Sequence, residues 1–314
     1  MHFSAPIPIL LVTGFLGSGK TTLLLRWARA GVDEGTAFLV NDFSAAGVDP
    51  QRLQAESGQT VYSVLGGSIF CECRAGKFLE TLRDLRSLAE TGKLRQLVVE
   101  TSGMASPVAV QEMLRGAGLE KDFFVRDVFC VVSAPQAHKL VRTLPAFTEQ
   151  IAAANLLLLN KTDLATPEQI DAARTLLRKH NADCPVVECR YSDLAAPPEN
   201  LASPPTPSAE LAKTPNPYSV VEKRLVSGVE PPEFAACLER EGNPALRVKG
   251  FLAGKDGNAR YFDWTPEGWS VVDLPGAPEP VMVFIYPDPE QPAMERFFAR
   301  EKRLLEGNAA AFPP

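Results

Sequence analysis

Gly14-Phe15-Leu16-Gly17-Ser18-Gly19-Lys20-Thr21-Thr22 stands directly after the apolar run 9–13 and opens a stretch of helical spacing that reaches residue 30. Strand, glycine-rich loop and helix in that order are what the GxxxxGK[ST] phosphate-binding pattern requires. Glycines let the backbone curl until successive amides face one phosphate, and the helix N-terminus adds positive potential. Gly17, Ser18, Gly19 and Thr22 belong to this turn, Lys20 suits the β- and γ-phosphate oxygens, and the Thr21 hydroxyl suits Mg2+.

Further apolar runs lie at 37–41, 61–65, 97–100, 128–133, 156–160 and 186–189, with helical spacing at 77–90 and 166–177 between some of them. Thr166, Pro167 and Gln169 spell an N-cap, a first-turn proline and a capping-box partner. Alternation of this kind predicts an α/β fold, a doubly wound and mainly parallel sheet. From 195 to 217 the composition turns to proline, alanine, serine and threonine without apolar periodicity, which reads as a linker. Beyond it, strand-like runs at 218–226, 245–252, 261–264, 269–274 and 281–286 and helical stretches at 232–241 and 292–305 predict a smaller α+β domain. The expected organisation is therefore a P-loop domain at 1–194, a linker at 195–217 and a C-terminal domain at 218–314.

Asn160-Lys161-Thr162-Asp163 closes the run 156–160, where a purine can meet it at the carboxyl edge of the sheet. Asp163 can accept from the N1 and N2 donors of guanine, whereas adenine presents a lone pair at N1, so the motif selects GTP. Tyr191-Ser192, after the next run, falls in the loop that closes a base pocket in this architecture. Glu100-Thr101-Ser102-Gly103 puts a carboxylate at a strand end and a glycine within reach of a γ-phosphate, as a Walker-B or switch II segment does. Asn41-Asp42-Phe43-Ser44 follows the second run, where a switch I segment is expected, and makes Asp42 a candidate Mg2+ ligand. Lys20, Glu100 and Asp42 are the candidate catalytic residues.

Lysine and arginine total 32 against 38 aspartates and glutamates, a net charge of -6 that disfavours nucleic acid or an anionic membrane as the partner. No apolar run is long enough for a membrane span, the N-terminus lacks a signal-peptide pattern, and six cysteines are too few for a disulfide scaffold, so the cytoplasm is the expected location. Cys130, Cys184, Cys189 and Cys237 lie in or beside apolar stretches and are expected in the core. His138 is expected beside a helix start. Arg247 and Lys249 alternate on a strand, the pattern of a solvated face or of a partner contact.

These residues together resemble the CobW-like family of metal-handling GTPases, within the wider class of the urease and hydrogenase nickel-insertion GTPases. The resemblance rests on GFLGSGKTT, VNDF followed by Gly47-Val48-Asp49, VVETSGMASP, Gln150-Ile151, LLLLNKTDL and, in the second half, Leu246-Arg247-Val248-Lys249-Gly250-Phe251. Where the family has a Gly-Cys-x-Cys-Cys segment, this chain reads Gly66-Gly67-Ser68-Ile69-Phe70-Cys71-Glu72-Cys73-Arg74. Aligned on the glycines, only Cys71 matches; aligned on Cys-x-Cys, Cys71 and Cys73 match and Arg74 replaces the third thiol. Two thiolates can hold Zn2+, Co2+ or Cu+ if Asp42, Glu72 or a partner protein completes the shell, and the other reading is a structural or redox-active segment.

The resemblance implies Mg2+-dependent GTP hydrolysis coupled to zinc or cobalt delivery, or to maturation of a metal- or corrinoid-dependent protein client, in a chain that can be a homodimer. Turnover is expected to be slow without a partner, since no arginine finger can be assigned. The alternatives are a regulatory GTPase that binds a client without handling metal, and a phosphotransferase, against which the N-K-x-D motif argues.

Overall fold

The computed structural model describes residues 5–31, 35–42, 50–51, 53–54, 61–65, 72–103, 106–143, 145–198, 201–205, 218–240, 242–266, 268–274 and 279–308. The chain divides into two compact units, one of residues 1–42 and 57–214 and the other of residues 43–56 and 215–314.

The first unit is built on seven parallel strands, β1 (Ile7–Thr13), β2 (Thr36–Asp42), β3 (Val61–Leu65), β4 (Gln96–Glu100), β5 (Phe123–Ser133), β6 (Leu156–Asn160) and β7 (Val186–Glu188), in the order β3-β2-β4-β1-β5-β6-β7. Every pair is parallel, and every residue of β6 is buried, as expected of strands covered on both faces. Helices are α1 (Lys20–Ala30), α2 (Glu72–Glu90), α3 (Val108–Gly116), α4 (Ala137–Thr143), α5 (Pro145–Ala152) and α6 (Pro167–His180). The chain first builds outward from β1 toward β3, returns to β4 beside β1, and then crosses to β5 on its other side. That reversal makes the carboxyl ends around β1 the topological switch point, where ligands of such sheets bind.

Local rules explain most boundaries. Thr166 accepts from the Gln169 amide at 3.3 Å and the Gln169 side chain accepts from the Thr166 amide at 2.9 Å, so α6 opens on the capping box read from the sequence. Strand β5 begins five residues before the expected run, because a bulge between the partners of Ile9 and Leu10 inserts Arg126 and breaks the alternation there. Helices α3, α4 and α5, of nine, seven and eight residues, lie outside the expected helical stretches. Asn155 fixes the β5–β6 level: it accepts from the Val128 amide at 2.8 Å and donates to Asp127 at 3.0 Å and to the Ala202 carbonyl at 2.9 Å. Residue 202, within the segment expected to be linker, is thus tied to the sheet. Residues 199–200 and 206–217 of that segment lie outside the described residues.

The second unit is an antiparallel sheet of β8 (Tyr218–Leu225), β9 (Arg247–Ala253), β10 (Ala259–Thr265), β11 (Gly268–Leu274), β12 (Val281–Pro287) and β13 (Leu305–Asn308), ordered β11-β10-β9-β12-β8-β13. Phe234 and Cys237 of α7 (Pro231–Leu238) and Met294 and Phe297 of α8 (Gln291–Arg300) join a core with Phe262 and Phe284. Gly250 is required where β9 meets β12, since a Cβ there would lie 2.0 Å from the Val281 carbonyl oxygen. Arg247 and Lys249 are both buried, not on a solvated face, and Arg247 makes a two-pronged contact with Asp263, Nε to Oδ1 at 2.9 Å and Nη2 to Oδ2 at 2.7 Å. No helix among the described residues is long and apolar enough to cross a membrane.

The helical stretch expected to reach 305 stops at Arg300 because Glu301 turns inward. Its two oxygens accept from Arg240 Nη1 at 2.9 and 2.8 Å, one also accepts from Arg300 Nε at 3.0 Å, and the chain is then free to pair as β13. Burial by itself would raise the Glu301 carboxyl, but hydrogen bonds from Arg240, Arg300 and Cys237 hold it below its ordinary value. A depressed carboxylate contributes stability above its unfolded value and loses it as pH falls through the folded one. Both arginines are partly exposed, so Glu301→Gln is expected to destabilise the protein at pH 7 by roughly 2 kcal/mol, and by much less at a pH well below the ordinary glutamate value. Urea titrations of both proteins at the two pH values check this, and equal midpoints at pH 7 would refute it.

Candidate functional site

Helix α1 begins in a way that α6 does not. Its N-cap is Gly19, which has no side chain to bond the first-turn amides, and no acidic residue stands in its first turn. Those amides are left for an anion. Gly14, Gly17 and Gly19 adopt φ of 132°, 73° and 113°, values side-chain-bearing residues rarely take. A Cβ on Gly14 would fall 2.1 Å from the Val131 carbonyl oxygen, and one on Gly19 would fall 2.3 Å from Asn160 Nδ2. The loop is therefore wedged between β5 and β6 with space for backbone only.

Within this ring Lys20 Nζ donates to the Gly14 carbonyl at 2.8 Å and to that of Phe15 at 3.2 Å. Thr21, in the first turn of α1, donates its hydroxyl to Glu100 Oε1 at 2.9 Å, and both residues are buried. Pairing of Glu100 with Val12, followed by the Thr101 amide on the Val12 carbonyl at 3.0 Å, carries β4 to the rim of the loop. Gly103 approaches so closely that a Cβ would lie 2.6 Å from the Leu16 amide nitrogen, and the Gln150 side-chain amide donates to the Gly103 carbonyl at 3.3 Å. Ser18 Oγ is buried and has no hydrogen-bond partner among the described residues, as a donor reserved for a ligand would be. Thr22 is half-buried on the same helix.

Asn160 joins this loop to the loop that follows β7. Its Nδ2 donates to the Ser18 carbonyl at 2.8 Å and to Ser192 Oγ at 2.9 Å, and its Oδ1 accepts from the Ser192 amide at 2.8 Å and the Cys189 thiol at 3.6 Å. Ser192 Oγ in turn donates to the Gly19 carbonyl at 2.9 Å. Lys161 takes φ 61° and starts a 3-10 turn, Thr162–Leu164, that carries the exposed Asp163. Tyr191 and Ser192 are consecutive left-handed residues at φ 50° and 54°, a conformation that costs a non-glycine residue roughly 1–2 kcal/mol each. Ser192 is fully buried, whereas Tyr191 is 67% exposed.

The structure thus gathers Gly17, Ser18, Gly19, Lys20, Thr21, Glu100, Gly103, Asn160 and Ser192 into one cradle. Asp42 ends β2 opposite Leu65 of β3; its side chain lies outside the described residues. So do Cys71 and the Cys73 side chain; the Cys73 backbone is in the first turn of α2. Cys130, Cys184, Cys189 and Cys237 are all buried, as expected, and burial pushes the thiols of Cys184 and Cys189 up to about 11 and that of Cys237 up to about 12. The Cys130 thiol is raised further by full burial. His138 is exposed in the first turn of α4. Two contributors had no sequence signal: Arg26 and Trp27 of α1 bond the carbonyls of Tyr191 and Leu194, both at 2.9 Å, from more than 160 positions away.

Residues 8–188 match the sequence profile of the family described as CobW/HypB/UreG, nucleotide-binding domain. The chain is 30% identical over 206 residues to the zinc chaperone YeiR of Escherichia coli K12, covering 63% of this chain and 61% of that one. It is 28% identical over 228 residues to the zinc chaperone CobW of Pseudomonas aeruginosa, covering 63% and 60%. Among solved structures it is similar to the zinc-bound YjiA GTPase of E. coli, at 22% identity and a TM-score of 0.44 over 94% of this chain and 98% of that one. The chain spans about three fifths of the length of the curated relatives it matches.

Because Asn160 satisfies four buried partners at once, Asn160→Ala is expected to lower stability by about 3 kcal/mol, leaving the Ser18 carbonyl and the Ser192 amide unpaired. Urea unfolding measures this, and a loss under 1 kcal/mol would mean that the cradle does not depend on the clamp.

Proposed function

Since the chain belongs to the CobW/HypB/UreG family of nucleotide-binding domains, we propose that it binds and hydrolyses GTP and couples its nucleotide state to the handling of a transition metal. The observation that carries the reading is the Asn160 clamp, which brings a phosphate-binding loop and an N-K-x-D segment into one hydrogen-bonded cradle. In this reading the α1 amides and Lys20 bind the phosphates, and Asp163 accepts from the guanine edge. Lys161, Tyr191 and Ser192 border the base, and Gly103 brings its amide toward the γ-phosphate.

Thr21 and Glu100 suit Mg2+, because they place a hydroxyl and a carboxylate oxygen side by side at the loop, donors of the kind this hard cation takes. Asp42 is the third candidate ligand. When bound, Mg2+ neutralises charge on the phosphate oxygens. Glu100 holds the Thr21 hydroxyl and is the candidate for orienting water, and Lys20 offsets charge on the oxygens that part. Hydrolysis on these residues alone is slow.

Zinc or cobalt is the proposed cargo, with Cys71 and Cys73 as its ligands and a metal- or corrinoid-dependent protein as its client. Two relatives named zinc chaperones support zinc as that cargo. The segment Ser68-Ile69-Phe70-Cys71-Glu72-Cys73-Arg74, poorer in thiols than the family pattern, favours a second reading: a regulatory GTPase that binds its client without metal.

Phosphate release from GTP separates the enzymatic part. Glu100→Gln and Lys20→Ala are each expected to slow turnover about a hundredfold or more, and wild-type rates in both would refute the roles assigned. Co2+ titration of the reduced protein, with and without a non-hydrolysable GTP analogue, tests the cargo. A thiolate charge-transfer band that changes with nucleotide and vanishes in Cys71→Ser/Cys73→Ser supports delivery. An identical weak response in both proteins sinks it and leaves the regulatory reading.

A further inference from the structure

Arg26 lies two turns into α1, beyond the phosphate loop, and belongs to none of the motifs that define a P-loop protein. Its Nε donates to the Tyr191 carbonyl at 2.9 Å and its Nη1 pairs with Asp193 Oδ1 at 3.0 Å. The side chains of Arg26 and Asp193 are 41% and 69% exposed, so as a surface ion pair alone they would contribute little. What the guanidinium holds is unusual, however. The first contact falls on the left-handed Tyr191, the left-handed Ser192 lies between it and the second, and neither residue is a glycine that would adopt this backbone freely.

Ser192 is anchored from the inside by Asn160 and Gly19. The Tyr191 ring is mostly exposed, so ring packing does little to fix its backbone; its carbonyl takes the charged hydrogen bond from Arg26. Trp27, the next residue of α1, bonds the Leu194 carbonyl at 2.9 Å and continues the seam. One helix therefore carries the phosphate site at its first turn and grips the loop after β7 two turns later.

We propose that Arg26 is a positioning residue for the purine base, its guanidinium holding the left-handed Tyr191–Ser192 backbone in the shape that meets guanine. The proposal rests on the nucleotide reading given above and adds to it a residue that couples base recognition to α1. It separates Arg26 from the groups that touch phosphate, so its loss weakens recognition of the base and leaves phosphate binding intact.

The test is calorimetric titration of the full chain with GDP and, separately, with ADP, for wild type, Arg26→Ala and Arg26→Lys. Arg26→Ala is expected to weaken GDP about tenfold and leave ADP unchanged, lowering the preference for guanine by the same factor. Arg26→Lys keeps a donor for the Tyr191 carbonyl and is expected to recover most of that preference. Equal weakening of both nucleotides, no change in either, or failure of the lysine to recover the preference would overturn the positioning role. A wild type that binds GDP no better than ADP would instead overturn the nucleotide reading beneath it.

Discussion

The side-chain amide of Asn160 is the interaction on which the first unit's site depends. It sits at the last residue of β6, fully surrounded, and bonds the phosphate loop through the Ser18 carbonyl and the loop after β7 through Ser192. A single planar amide with donors on one side and an acceptor on the other can satisfy both loops at once, which a carboxylate or a hydroxyl cannot. In a buried setting the groups it joins would be costly to leave unpaired, so the two loops hold their shape together. Gly19 has to be glycine for the same reason: the amide of Asn160 occupies the place of a Cβ.

Sheet topology supplies the setting for that clamp. Reversal of strand order about β1 brings the ends of β1, β4, β5 and β6 to one edge, each contributing one part of the cradle. β1 runs into the loop, β4 delivers Glu100 beside Thr21, β5 closes under Gly14, and β6 brings Asn160. The bulge at Arg126 matters here, because it adjusts the register so that Thr13 faces Cys130 at the point where the loop begins. The second unit shows the same economy with charge. Glu301 ends a helix by taking two arginines, and Arg247 pairs with Asp263 between neighbouring strands.

Much of the fold and part of the site could be read from residues alone, and the divide between what was legible and what was not follows interaction range. The strand runs, the capping box at Thr166 and the loop from Gly14 to Thr22 obey rules that act over a few positions, so their signals lie in contiguous letters. Glu100 and Gly103 were legible for the same reason, as a carboxylate and a glycine at a strand end. Helices α3 to α5 were not, because in nine, seven and eight residues a helical repeat recurs only about twice. Strand β13 was hidden because Leu304 and Leu305 continue a helical pattern that only the inward turn of Glu301 interrupts.

The sequence by itself determined the chemistry available at the site: amides without a cap at α1, a lysine, a hydroxyl, a carboxylate and an N-K-x-D segment. Tertiary structure alone decided which of these meet, and it added Arg26 and Trp27, which bond carbonyls 165 and 167 positions away. The physical reason is that a side chain's hydrogen-bond capacity is intrinsic to its type, whereas its partner is set by strand order, register and helix placement across the whole unit. A carbonyl held by Arg26 is also invisible in the letters for a further reason, since every residue carries one and nothing about Tyr191 marks its own as the one to be held.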